Sequence, residues 1–114
     1  TPGGTSWTWR SCEGERCLAI VYADSLTAIA ADGFRFTGGA GRPDITPIVR
    51  ATIARIEGLP CDIIVSTHPG ATSLSQRLKH HESGGADAFV NPDGCRTYAA
   101  TARINLERRI AQER

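Results

Sequence analysis

The residues best suited to chemistry in this 114-residue sequence are one histidine and two hydroxyls, each placed just after an apolar run. His68 stands in Ser66-Thr67-His68-Pro69-Gly70, directly beyond Ile63-Ile64-Val65. Imidazole is the commonest nitrogen ligand for zinc, and α/β sheets place ligands beyond the ends of buried strands. A catalytic zinc takes three protein ligands, so His68 could supply one but could not complete a site. The competing assignment is a hydrogen-bonded structural histidine. His80 and His81 are adjacent rather than four apart, in a stretch with Gln76, Arg77, Lys79 and Glu82. That pattern predicts a solvated surface pair.

Ser25 and Thr27 follow the run Leu18–Ala23. If extended geometry continues past Ala23, alternation sends both hydroxyls to one side, a donor pair suited to a carboxylate or carbonyl oxygen. Ordinary turn chemistry by Asp24 and Ser25 is the alternative. Thr1 could in principle be an N-terminal nucleophile with its own amine as base, but Pro2 restricts it and nothing marks an oxyanion hole. Pro2-Gly3-Gly4-Thr5 has no Lys-Ser/Thr partner, so a phosphate loop is not supported.

Elements must position these groups. Trp7 and Trp9 alternate with polar residues across Thr5–Arg10, which predicts a half-buried strand. After the turn Glu13-Gly14-Glu15, Leu18–Ala23 predicts a second, more buried strand, and the two form a hairpin closed by Cys12 and Cys17. Phe34 and Phe36 precede a glycine-rich loop, Gly38–Pro43. Thr46-Pro47 reads as a helix start, Val49, Ile53 and Ile56 as its apolar face and Gly58 as its stop. The β-branched run Ile63–Val65 predicts a strand covered on both faces. A polar helix over Ser73–Glu82 follows. The last helix, from about Arg96, carries the stripe Ala99, Ala102, Leu106 and Ile110, with Cys95 on its extension. Strands first, then helix, strand, helix, is an α/β layer arrangement in one domain over 1–114.

The four cysteines contain no C-x-x-C pair, which argues against a zinc ribbon or a thioredoxin-like motif. Pairing Cys12–Cys17 and Cys61–Cys95 keeps both bridges geometrically simple and predicts an oxidising compartment, periplasmic or secreted. By loop entropy the longer bridge is worth about 4 kcal/mol and the shorter about 2. With 13 basic and 12 acidic residues the formal charge is +1, a balance unsuited to a nucleic-acid clamp or a polybasic membrane anchor. The apolar runs fall far short of the roughly 20 residues that cross a membrane. The sequence contains no Met and opens on no charged-then-apolar leader, so a chain trimmed or excised from something longer is expected.

Taken in order, Thr1-Pro2-Gly3-Gly4-Thr5-Ser6-Trp7-Thr8-Trp9, Tyr22-Ala23-Asp24-Ser25-Leu26-Thr27 and Ser66-Thr67-His68-Pro69-Gly70 resemble the metallo-β-lactamases. The likeness is to the third subclass, whose two zincs are held by histidines and an aspartate, and it extends over the whole chain, cysteine spacing and the Tyr98-Ala99-Ala100 helix included. The resemblance implies the C-terminal βα half of a four-layer αββα sandwich. It implies that His68 binds one zinc and that Ser25 and Thr27 hold the substrate carboxylate. It also implies that the histidine before T-P-G and the H-x-H-x-D-H motif belong to an N-terminal half. The implied activity is hydrolysis of the β-lactam amide by zinc-bound hydroxide, giving antibiotic resistance, in a protein that is monomeric when complete. This chain alone is expected to be inactive. A lactonase or thioesterase of the same superfold, or an inert half-domain, is the alternative.

Overall fold

The computed structural model describes residues 3–114, so the Thr1 nucleophile and the first two residues of the T-P-G segment lie outside the described residues. Strands β1 (Trp7–Glu13) and β2 (Arg16–Ala23) form an antiparallel hairpin, and β3 (Ile63–Ser66) pairs parallel to β2. The sheet order is β1-β2-β3. Helix α1 (Thr46–Glu57) crosses from β2 to β3, and α2 (Leu74–Glu82) and α3 (Gly94–Glu113) follow. A single 3-10 turn, Pro69–Thr72, joins β3 to α2.

Each element forms for a local reason. Within the hairpin Cys12 and Cys17 are cross-strand partners and are disulfide-bonded, with Cα atoms 4.0 Å apart. The parallel pair is clamped by Asp62, whose carboxylate accepts from Ala19 N–H at 2.8 Å while its own N–H donates to Ala19 C=O at 2.8 Å. Helix α1 starts one residue earlier than its sequence signal, with Ile45 at the cap. Asp44 does the capping work, accepting from Thr46 N–H at 2.8 Å, and the Thr46 hydroxyl together with that N–H holds its carboxyl below the usual range. Gly94 lets α3 lie on β3, because a Cβ there would meet the Ile64 side chain at 2.7 Å.

The core sits on one side of the sheet. Val21, Ala23 and Ile64 meet Ile56, Cys95 and Tyr98, and the Cys61–Cys95 disulfide ties α3 beside β3. Farther along, α1 and α3 close over Ala28 and Phe36 through Ile53, Ala99, Ala102, Leu106 and Ile110, the stripe expected from the sequence. Two ion pairs of 2.7 Å, Arg50–Glu107 and Arg103–Glu57, join the same helices at their rims.

The opposite side is bare. By register, Trp7, Tyr22 and Val65 share that face, as do Trp9, Ile20 and Ile63. Two sequence expectations fail here. Strand β1 is exposed along its whole length rather than half-buried, and β3 is an edge strand with only Ile64 buried rather than one covered on both faces. The physical reason is one and the same: the helices cover a single face, so side chains of the other parity have nothing above them. The shape agrees. The radius of gyration is 16.3 Å, against about 13 Å for a compact domain of this length.

Candidate functional site

The carboxyl ends of β2 and β3 release two segments at the same edge of the sheet. From β2 come Asp24, Ser25, Leu26 and Thr27, which are not extended strand, so alternation past Ala23 does not set their direction. A hydrogen-bonded turn does. Ser25 N–H donates to the Asp24 carboxylate at 2.8 Å, and Thr27 N–H donates to the Ser25 hydroxyl oxygen at 3.3 Å. Turn chemistry and donor chemistry therefore coexist. With the Ser25 oxygen accepting from an amide, its own proton is left to give. The Thr27 hydroxyl makes no hydrogen bond among the described residues.

Both residues line one cavity of about 270 Å³, whose far wall is the first turns of α1 with Ile45, Ile48, Val49 and Thr52. Hydroxyl donors on one side and aliphatic carbons on the other suit a small molecule with a carboxylate and an apolar body. Phe36 forms part of the floor. It is held by Glu113 at the end of α3, which accepts from the N–H groups of Phe36 and Thr37 at 3.0 and 2.9 Å and from Arg109 at 2.7 Å. Burial pushes that carboxyl up, but the Arg109 bond and the Phe36 and Thr37 donors outweigh it and bring it to about 2.

From β3 comes His68, exposed and extended, at the cap of the 3-10 turn. Its C=O accepts from Ala71 N–H at 3.0 Å, and its own N–H points to the Ser66 hydroxyl at 3.4 Å. The imidazole is exposed and has no hydrogen bond to a described residue. His80 and His81 lie on exposed α2, His80 stacked over Gly85 and His81 against Phe89 with centroids 5.7 Å apart. Among the described residues no three of His, Cys, Asp and Glu come together as a metal site. The residues present do not by themselves fit a zinc ion.

One residue that bridges the two exits is not among the candidates read from the sequence. Tyr98 on α3 reaches between the two exits, donating to Asp24 C=O at 2.9 Å and meeting the Ser66 hydroxyl at 3.2 Å. Its signal was faint but present, since a tyrosine on an otherwise alanine-rich inner stripe must find a partner for its hydroxyl.

No family model matches the chain. Solved structures do. Over 99% of its length the chain is 49% identical to the Rm3 metallo-β-lactamase, with a TM-score of 0.93, and covers 42% of that protein. Over 99% it is 41% identical to MEM-A1, a subclass B3 metallo-β-lactamase isolated from a soil metagenome library, with a TM-score of 0.90 and 43% of that chain covered. Over its full length it is 38% identical to the metallo-β-lactamase SMB-1 in a complex with mercaptoacetic acid, with a TM-score of 0.90 and 43% covered. The chain thus spans less than half the length of the proteins it matches. By sequence and fold, the chain belongs with the subclass B3 metallo-β-lactamases, as an α/β half-domain matching their C-terminal half.

Proposed function

We propose that this chain is the C-terminal half of an exported β-lactam hydrolase and supplies the substrate-carboxylate anchors and one zinc ligand. The single observation that carries the reading is the convergence of the two strand exits: Ser25 and Thr27 on one cavity, His68 on the neighbouring loop, joined through Tyr98. Support for a missing second half comes from the bare sheet face, where Trp7 is 64% and Trp9 46% exposed. Contiguous apolar surface of that kind marks an interface. The two disulfides support export to the periplasm or the exterior. No helix is long and apolar enough to cross a membrane among the described residues.

In this reading the chain's own share of the reaction is binding and orientation. The Ser25 and Thr27 protons hold the carboxylate of the substrate, and the aliphatic wall of α1 receives the adjoining carbons. The SMB-1 complex contains a small carboxylic acid, mercaptoacetic acid, which is the class of group these donors suit. Zinc, if held by His68 together with ligands of the other half, would supply the hydrolytic chemistry as a Lewis acid. His68 would be one ligand, and the rest would come from the other half.

The test uses the full-length protein with zinc. It should consume a carbapenem, read as loss of ultraviolet absorbance, in preference to lactones or thioesters. Ser25→Ala with Thr27→Ala should mainly raise KM, each lost bond to a charged group costing about 1.5–3 kcal/mol. His68→Ala should lower the zinc content from about two ions toward one, whereas His80→Ala with His81→Ala should leave it unchanged. Wild-type KM in the double hydroxyl variant, or undiminished zinc in His68→Ala, overturns the corresponding assignment.

A further inference from the structure

Four polar groups form a one-way chain across the mouth of the site. Asp24 C=O can only accept, so the Tyr98 hydroxyl gives it its single proton at 2.9 Å. The Tyr98 oxygen must then accept in the 3.2 Å contact with Ser66, which makes the Ser66 hydroxyl the donor there. The Ser66 oxygen is in turn free to accept from His68 N–H, its longest link at 3.4 Å. Direction is therefore fixed at both ends, by a carbonyl and by an amide. Each hydroxyl gives once and takes once, and such chains reinforce themselves in a partly buried setting. The Asp24 end is held from its other side too, because Asp24 N–H donates to the Ser6 hydroxyl at 3.0 Å. Tyr98 itself is rigid: it is buried on α3, three residues after the Cys61–Cys95 bridge.

We infer that the Tyr98 hydroxyl is a positioning group that holds the Ser25–Thr27 turn and the His68 loop at a fixed spacing, so that loosening one exit loosens the other. Strands β2 and β3 already run side by side, but past Ala23 and Ser66 no ladder bond joins the two segments. The tyrosine carries the register of the sheet beyond its last rung. Its importance for substrate rests on the assignment of Ser25, Thr27 and His68 proposed above; the mechanical tie does not.

The experiment separates the two. In the intact protein that carries this chain, hydrogen exchange is followed by mass spectrometry for wild type, Tyr98→Phe, Ser66→Ala and the double variant. Tyr98→Phe keeps the packed ring and removes only the hydroxyl. It should speed exchange about three- to tenfold in both 24–28 and 66–71 and leave Ala99–Ile110 unchanged. Ser66→Ala should speed exchange in 24–28 as well, although the Ser66 hydroxyl bonds to none of those residues, and the double variant should be no faster there than Tyr98→Phe alone. Should Tyr98→Phe fail to fold, Ser66→Ala carries the test, since it removes no packed ring. A Ser66→Ala effect confined to 66–71, or additive single effects, overturns the tie. In the kinetic arm, Tyr98→Phe should raise KM for a carboxylate-bearing β-lactam about three- to tenfold with kcat within about twofold. Linked exchange with an unmoved KM overturns the positioning role. Linked exchange in a wild-type protein that turns over no β-lactam leaves the tie standing and removes the functional reading instead.

Discussion

The two faces of the sheet are made of different residues. On the helix-covered face β2 presents Ala19, Val21 and Ala23, all buried, and α3 answers with Cys95 and Tyr98. Small side chains there let the helices approach closely, and one disulfide fixes the distance. On the bare face the same strands present Trp7, Trp9, Ile20, Tyr22, Ile63 and Val65, large side chains with no layer above them. A solvent-facing sheet ordinarily alternates apolar inward with polar outward. Here both parities of β2 are apolar. The contrast teaches that this chain's own helices pack one face of the sheet and leave an apolar face open, which is what the proposed second half would cover.

The largest expected effect tests that contrast directly. Trp7→Ser with Trp9→Ser should cost the 114-residue chain alone less than about 0.5 kcal/mol, because both rings already meet water. In the full-length protein the same pair should cost about 4 kcal/mol or more, as buried tryptophans do. Denaturant titration of both proteins checks this. Equal, small losses in the two would mean that nothing covers the face.

On the covered side, Cys61→Ser with Cys95→Ser should cost about 4 kcal/mol by the loop-entropy model, the bridge spanning 34 residues. Cys12→Ser with Cys17→Ser closes a separation of only 5 and should cost about 2 kcal/mol. Thermal unfolding under oxidising conditions ranks the two. A larger loss from the hairpin bridge would contradict the loop-entropy ranking.

A smaller effect, with a pH signature, belongs to Glu113 at the far end of α3. Its carboxyl is lowered from 4.5 to about 2 in the folded chain. The stabilisation is therefore fully present above pH 4.5 and is lost as the pH falls from there toward 2. Glu113→Gln should lower stability by about 2 kcal/mol at pH 6, and the gap to wild type should shrink on acidification. A gap that stayed constant or grew as the pH fell would contradict the bonding of Glu113 to Arg109, Phe36 and Thr37.

Much of this was legible in the residues, and the exceptions are instructive. The helix faces, the hairpin, both cysteine pairs and the α/β order follow from local periodicity and spacing, because the covered face obeys ordinary rules. Burial of Trp7, Trp9 and Ile63–Val65 was misjudged because periodicity reports which side chains share a face and not whether another layer lies over it. Ser25 and Thr27 reach one cavity by a hydroxyl-closed turn and not by the alternation of β2. The stripe shows that the Tyr98 hydroxyl needs a partner but not which one, since the bond joins Asp24 to a residue 74 positions away.

The measurement that bears most directly on the account is reconstitution. The 114-residue chain and the N-terminal half of the full-length protein are purified separately and mixed with zinc, and carbapenem absorbance is followed beside a sedimentation profile. Neither half alone should turn over substrate, and the mixture should form a one-to-one complex that does, with Trp7→Ser and Trp9→Ser abolishing both complex and turnover. A complex that forms on the bare face yet takes up no zinc and hydrolyses nothing, or turnover by the 114-residue chain alone, would contradict a site divided between two halves.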